Sequence, residues 1–130
     1  MRILAIDPGF RSLGWACCSS SSDIIVKGVI CRKRVKKGFK TDWRARWVVL
    51  VQRVENLAVR LAVDEIVIEE PQLFVSSRKG SAASNSGAIM KLTALVYGIA
   101  GRMIDRMAVN VIPVMTWKGN LPKHVTRLRV

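Results

Sequence analysis

Ile3-Leu-Ala-Ile-Asp-Pro-Gly-Phe-Arg-Ser-Leu-Gly-Trp15 decides how the chain begins. Ile3 to Ile6 is a run of apolar residues of strand-forming character. Asp7-Pro8-Gly9 stops it with turn chemistry, since proline fixes one backbone angle and aspartate bonds its own backbone. Leu13–Cys18 then returns as a second strand. Beyond it, the serines at 19–22 form a polar turn, and Asp23–Cys31 carries enough Ile and Val for a third strand. The chain therefore opens as a three-strand meander with a loop after its first strand.

Working outward, residues 32–40 hold six positive charges in nine positions, and like-charge repulsion with Gly38 makes them a loop. Thr41 or Asp42 can cap a helix running to about Ala62. Trp47, Leu50, Val51, Val54, Leu57, Ala58 and Leu61 recur at helical spacing, with Arg53, Asn56 and Arg60 on the other side. Glu65–Glu69 reads as a buried strand ending in acid. Residues 71–87 are a long Ser/Gly/Ala-rich loop. A second helix is expected from about Ser86 to Met107, with a stripe of Ile89, Leu92, Val96, Ile99, Ala100, Met103 and Ile104. Gly98 and Gly101 weaken that helix, so close packing must compensate. Ala108–Pro113 is a fifth strand, and Asn120 with Pro122 can open a third helix. This order predicts one α/β domain over 1–130: a five-stranded mixed sheet with helices on both faces.

Half of the residues are apolar, enough for a real core, yet 22 Lys+Arg face 9 Asp+Glu, a formal charge of +13. Such a globular domain repels itself unless a polyanion neutralises it, so nucleic acid is the first partner to expect and an anionic membrane surface the second. No apolar run approaches the ~18 residues of a membrane helix. Asp7 comes too early for a signal peptide. Cys17, Cys18 and Cys31 lack metal-site or disulfide spacing and read as buried thiols of a reducing compartment, hence a cytoplasmic protein.

The charge is uneven. Residues 32–60 carry ten bases and two acids, and 71–130 carry nine bases and one acid. Residues 61–70 carry Asp64, Glu65, Glu69 and Glu70 with no base. The one dense acidic stretch thus sits between basic blocks, at a strand end. Asp7 ends the first strand, and carboxyl ends of neighbouring strands converge on one crevice in an open sheet. Two carboxylates held there repel unless a divalent cation joins them, and hard oxygen ligands favour magnesium or manganese. Such ions activate water and stabilise a leaving oxygen in phosphodiester hydrolysis. Glu69 and Glu70 point to opposite faces of a strand, so only one can share the crevice with Asp7, and parity alone does not choose.

The opening stretch, together with Ile66-Val-Ile-Glu-Glu-Pro71, resembles the first two motifs of the RuvC-type Holliday junction resolvases. The later helix, strand and Trp117-Lys118-Gly119 region with Lys123 look like the family's following segments. The resemblance implies a ribonuclease-H-like fold, a homodimer, and magnesium-dependent paired nicking of four-way DNA junctions, with Mn²⁺ as substitute. It implies that Asp7 and Glu69 are metal ligands, with Glu70 as the other candidate, and that Lys118 and Lys123 lie near the scissile phosphate. Phe74 corresponds to the aromatic that probes the junction, although its offset from Glu69 is longer than usual. The family completes its site with acids from a C-terminal helix, whereas this sequence has no Asp or Glu after Asp105. The expectation is that the natural chain continues past Val130, and that a two-metal site forms only with those acids. His124 is a lesser metal candidate.

Phosphate contacts are expected from Arg11, Arg32, Lys33, Arg34, Lys36, Lys37, Lys40, Arg78, Lys79, Lys118 and Lys123. Trp43, beside the basic loop, is the best candidate for stacking on a base; Trp15, Trp47 and Trp117 read as core. Asp105, between Arg102 and Arg106, is expected to make local i±3 or solvent contacts. Two other readings remain: a branched-DNA binder without cutting activity, and a sugar-kinase or actin-like ATPase using Asp7, Gly9 and Gly14. The ATPase reading needs two such domains and a nucleotide cofactor, and no GxxxxGK loop is present.

Overall fold

The computed structural model describes residues 1–21, 23–31, 42–71 and 81–113, with side chains from residue 87 in the last stretch. Its elements are β1 (Arg2–Asp7), β2 (Ser12–Ser19), β3 (Ile24–Cys31), α1 (Trp43–Arg60), β4 (Glu65–Glu70), α2 (Ser81–Met103) and β5 (Ala108–Pro113). The five strands form one sheet in the order β3-β2-β1-β4-β5. The meander is antiparallel, while β4 lies parallel to β1 and β5 parallel to β4. This is the ribonuclease-H-like arrangement.

Alternation along the strands selects the core face. Leu4, Ile6, Ile66 and Ile68 are buried, with Val109 and Val111 packed beside them. Leu50, Val51, Val54, Leu57 and Ala58 of α1 and Leu95, Val96, Ile99 and Met103 of α2 belong to the same cluster. Both described helices therefore cover one face. Each such side chain contributes roughly 1.5–3 kcal/mol on burial. The third helix expected after Asn120, which would supply a layer on the second face, lies outside the described residues.

Asp42 caps α1, its carboxylate accepting the N–H of Arg44 at 3.0 Å. The helix ends without glycine. Ala62 takes a left-handed φ of 49°, and the N–H groups of Ala62 and Val63 return to the carbonyls of Val59 and Ala58. This satisfies the last turn as a Schellman motif.

Several expectations need correction. The second helix starts five residues earlier than read, because Ser81-Ala-Ala-Ser-Asn-Ser86 contains no breaker and Ala82 and Ala83 favour helix. It ends earlier too, leaving Ile104 exposed, and Leu95 takes a core place the stripe omitted. Gly98 meets the close approach expected of it: a β-carbon there would lie 2.3 Å from the Trp47 indole. Gly101 does not, having nothing within 4 Å. Of the cysteines only Cys17 is buried, since Cys31 ends the edge strand and is exposed. Arg102 and Arg106 reach across to Glu55 on α1, at 2.7 and 3.2 Å, and Asp105 is left exposed to solvent, the second of the contacts expected of it.

Candidate active site

Ile6 and Ile68 are in register across the parallel β1–β4 pair, so Asp7 and Glu69 leave the sheet side by side at the carboxyl ends of the two strands. Neighbouring strands lie about 5 Å apart, which brings both carboxylates within reach of one small cation. Both line a hollow of about 430 Å³ together with Ala5, Gly14, Ala16, Val67 and Ile112. Apart from Ile6 and Trp15, which also line it, these positions alternate with the buried set, so the hollow opens on the face that α1 and α2 leave uncovered. Its wall is largely apolar, and Asp7 is exposed to solvent.

The parity question is answered by the helices. Ile66 and Ile68 turn toward them, so Glu70 follows onto that face and Glu69 takes the other. Glu70 there accepts a hydrogen bond from the Tyr97 hydroxyl at 2.9 Å. The bond to this carboxylate pushes the Tyr97 pKa above its ordinary value, with desolvation adding to the effect. Tyr97 was not foreseen; the only available signal was that it is the sole tyrosine in the chain.

Close contacts shape the turn that carries Asp7. A β-carbon on Gly9 would stand 2.3 Å from the Ser12 carbonyl oxygen, which no side chain permits. Gly14, paired with Asp7, leaves the space beside that carboxylate open, its nearest neighbour being the Asp7 β-carbon at 3.7 Å. Arg46 Nε of α1 donates to the Phe10 carbonyl at 3.0 Å and ties the loop to the helix. The Phe10 ring meets Trp43 edge-on, with centroids 6.4 Å apart. Lys91 of α2 stands over the Trp43 ring at 5.8 Å.

Asp7 has no hydrogen-bond or ion-pair partner among the described residues, which also contain no group of three or more His, Cys, Asp or Glu able to hold a metal. Two carboxylates still suit magnesium, which is commonly bound through one or two of them with water and substrate phosphate completing the shell. Arg11 is exposed on the loop after β1. Arg32, Lys33, Arg34, Lys36, Lys37, Lys40, Phe74, Arg78, Lys79, Trp117, Lys118, Lys123 and His124 lie outside the described residues. No described helix is long and apolar enough to cross a membrane.

No protein-family model matches the chain, and no curated protein matches it in sequence. Solved structures do match. A Thermus thermophilus RuvC structure aligns with a TM-score of 0.68 and 15% identity, over 98% of this chain and 76% of that one. T. thermophilus RuvC in complex with Holliday junction substrate aligns with a TM-score of 0.61 and 18% identity, over 95% of this chain and 71% of that one. The chain thus has a RuvC-type fold; identities this low establish the fold alone.

Proposed function

We propose that this chain is a single-domain endonuclease that binds four-way DNA junctions and nicks them in a divalent-metal-dependent hydrolysis. One observation carries the reading: Asp7 and Glu69 line one hollow at the carboxyl ends of adjacent parallel strands. The RuvC-type fold and the charge of +13 support branched DNA as substrate.

Asp7 and Glu69 are the residues that would hold Mg²⁺, or Mn²⁺ in its place. When bound, such an ion lowers the pKa of water and stabilises the leaving oxygen. The two carboxylates also orient the scissile phosphate by fixing where positive charge stands. Arg11 and the basic residues of 32–40, 78–79, 118 and 123 neutralise the flanking phosphates, with Lys118 and Lys123 nearest the cut and Phe74 probing the junction. A second metal requires further acids from a C-terminal segment. The active form is a homodimer, which pairs two hollows on a symmetric junction, and the setting is cytoplasmic.

A second reading, a junction binder that does not cut, is favoured by the two-acid count among the described residues. One assay separates them. A labelled four-way junction is incubated with the chain, with and without magnesium. Nicking is expected in magnesium, with Asp7→Asn and Glu69→Gln slower by about a hundredfold or more while binding is kept, and Glu70→Gln much less affected. Asp7→Asn that nicks at the unmodified rate refutes the assignment. Tight binding without nicking by the unmodified chain establishes the second reading instead.

A further inference from the structure

Three aromatic and basic side chains from three different elements meet where the loop after β1 reaches the helices, without any role in holding a metal. Phe10 comes from the loop after β1, Trp43 from the first turn of α1 and Lys91 from α2. Trp43 is 38% exposed, unusual for an indole. Its ring is fixed by the edge-on contact with Phe10, and the Phe10 backbone is in turn held by Arg46. Lys91 makes no ion pair among the described residues, and its ammonium is held over the indole instead. Arg11, next to Phe10, is exposed.

We propose that Phe10, Trp43 and Lys91 form a second contact with the DNA strand, in which Lys91 takes a backbone phosphate and Trp43 packs against the nucleotide that carries it. This rests on the reading of the chain as a junction-binding protein. The chemistry is that of single-strand and branch recognition: a cation for the backbone and an aromatic face for an unstacked base. Holding the ammonium on a fixed ring reduces the side-chain ordering that binding otherwise costs.

The test uses the full chain, synthetic four-way junctions and metal-free buffer, with affinity read by fluorescence anisotropy across a salt series. Lys91→Ala is expected to bind about three- to tenfold more weakly and to lower the slope of log affinity against log salt by about one. Trp43→Ala should lose about tenfold, while Trp43→Phe keeps most of the affinity because it retains an aromatic face. A walk of single methylphosphonates along the junction strands should reveal one position whose neutralisation weakens the unmodified chain but not Lys91→Ala. A merely structural role for Lys91 would not move that position. Thermal midpoints of Lys91→Ala and Trp43→Phe, matched to the unmodified chain, exclude loss of fold. If the unmodified chain binds junctions while Lys91→Ala keeps its salt slope and its methylphosphonate pattern, the proposal is overturned and the junction reading stands. If the unmodified chain binds no DNA, both fall together.

Discussion

Gly98 and Gly101 sit one turn apart on α2, and the same substitution should act in opposite directions at the two. A β-carbon at Gly98 would lie 2.3 Å from Trp47 Cζ2 and 2.8 Å from Cε2, against an optimum of about 3.5–4.0 Å between carbons. The indole must therefore withdraw by about 1 Å. It is not free to do so cheaply, because Trp47 Nε1 donates to the Ala94 carbonyl at 2.9 Å, one turn back on the same helix. Overpacking costs roughly 1–3 kcal/mol, and a disturbed hydrogen bond about 1 kcal/mol. The better helix propensity of alanine returns about 1 kcal/mol. Gly98→Ala should thus destabilise by about 1–3 kcal/mol. At Gly101 nothing lies within 4 Å, so only the propensity remains and Gly101→Ala should stabilise by about 0.5–1 kcal/mol.

Thermal unfolding followed by circular dichroism measures both. At roughly 4 °C per kcal/mol for a domain of this size, the melting temperatures should separate by about 6–16 °C. The cause can be isolated by repeating Gly98→Ala in a Trp47→Phe background, where the smaller ring removes the clash and the penalty should largely vanish. Equal effects at the two glycines, or a Gly98→Ala penalty undiminished by Trp47→Phe, would refute the packing argument.

Two further outcomes follow from local geometry. Ala62 holds a left-handed conformation that costs an L-residue roughly 1 kcal/mol, so Ala62→Gly should raise stability in the same unfolding assay, whereas a glycine in an ordinary helical position lowers it. Glu55 has its pKa lowered chiefly by the hydrogen bond from Arg102, with the Arg102 and Arg106 charges adding to it. A carboxyl with a depressed folded-state pKa stabilises above its unfolded value of about 4.3, and that contribution is lost as the pH falls through the folded value. The stability gap between the unmodified chain and Glu55→Gln should therefore shrink below about pH 4; a gap constant from pH 7 to pH 3 would show that the charge is not what holds the helices together there.

What the sequence revealed follows from how many physical constraints acted on each residue. The turn after Ile6 was legible because Asp7, Pro8 and Gly9 all favour it. The stripe of α1 was legible because one periodicity fits: Leu50, Val51, Val54, Leu57 and Ala58 are all buried. Glu69 and Glu70 were not separable, since the strand between Glu65 and Glu70 is apolar on both faces. Choosing needs the tertiary fact that both helices pack on the Ile66–Ile68 side. The C-terminus of α1 falls within two residues of its expected place near Ala62, although its left-handed residue is an alanine and no glycine marks it. Glu55 binds Arg102 and Arg106 because two helices distant in sequence lie against each other, which local i±3 reasoning does not see.

The distribution of partners among the acids bears on what Asp7 waits for. In a chain with 22 cations for 9 anions, a carboxylate could readily find a lysine or arginine. Asp42 and Glu55 do so, with Arg44 and with Arg102 and Arg106. The acids around the parallel strands are bound differently. Asp64 takes the backbone N–H of Arg2, Glu65 the amide of Asn110 and Glu70 the hydroxyl of Tyr97. Neutral donors fix a carboxylate's direction but leave its charge in place. At the carboxyl ends of β1 and β4, Asp7 stands beside Glu69 and has no partner among the described residues. A lysine paired with Asp7 would cancel its charge; left without one among the described residues, the carboxylate keeps its attraction for a divalent ion, which is what a site that must also accept an anionic phosphate requires.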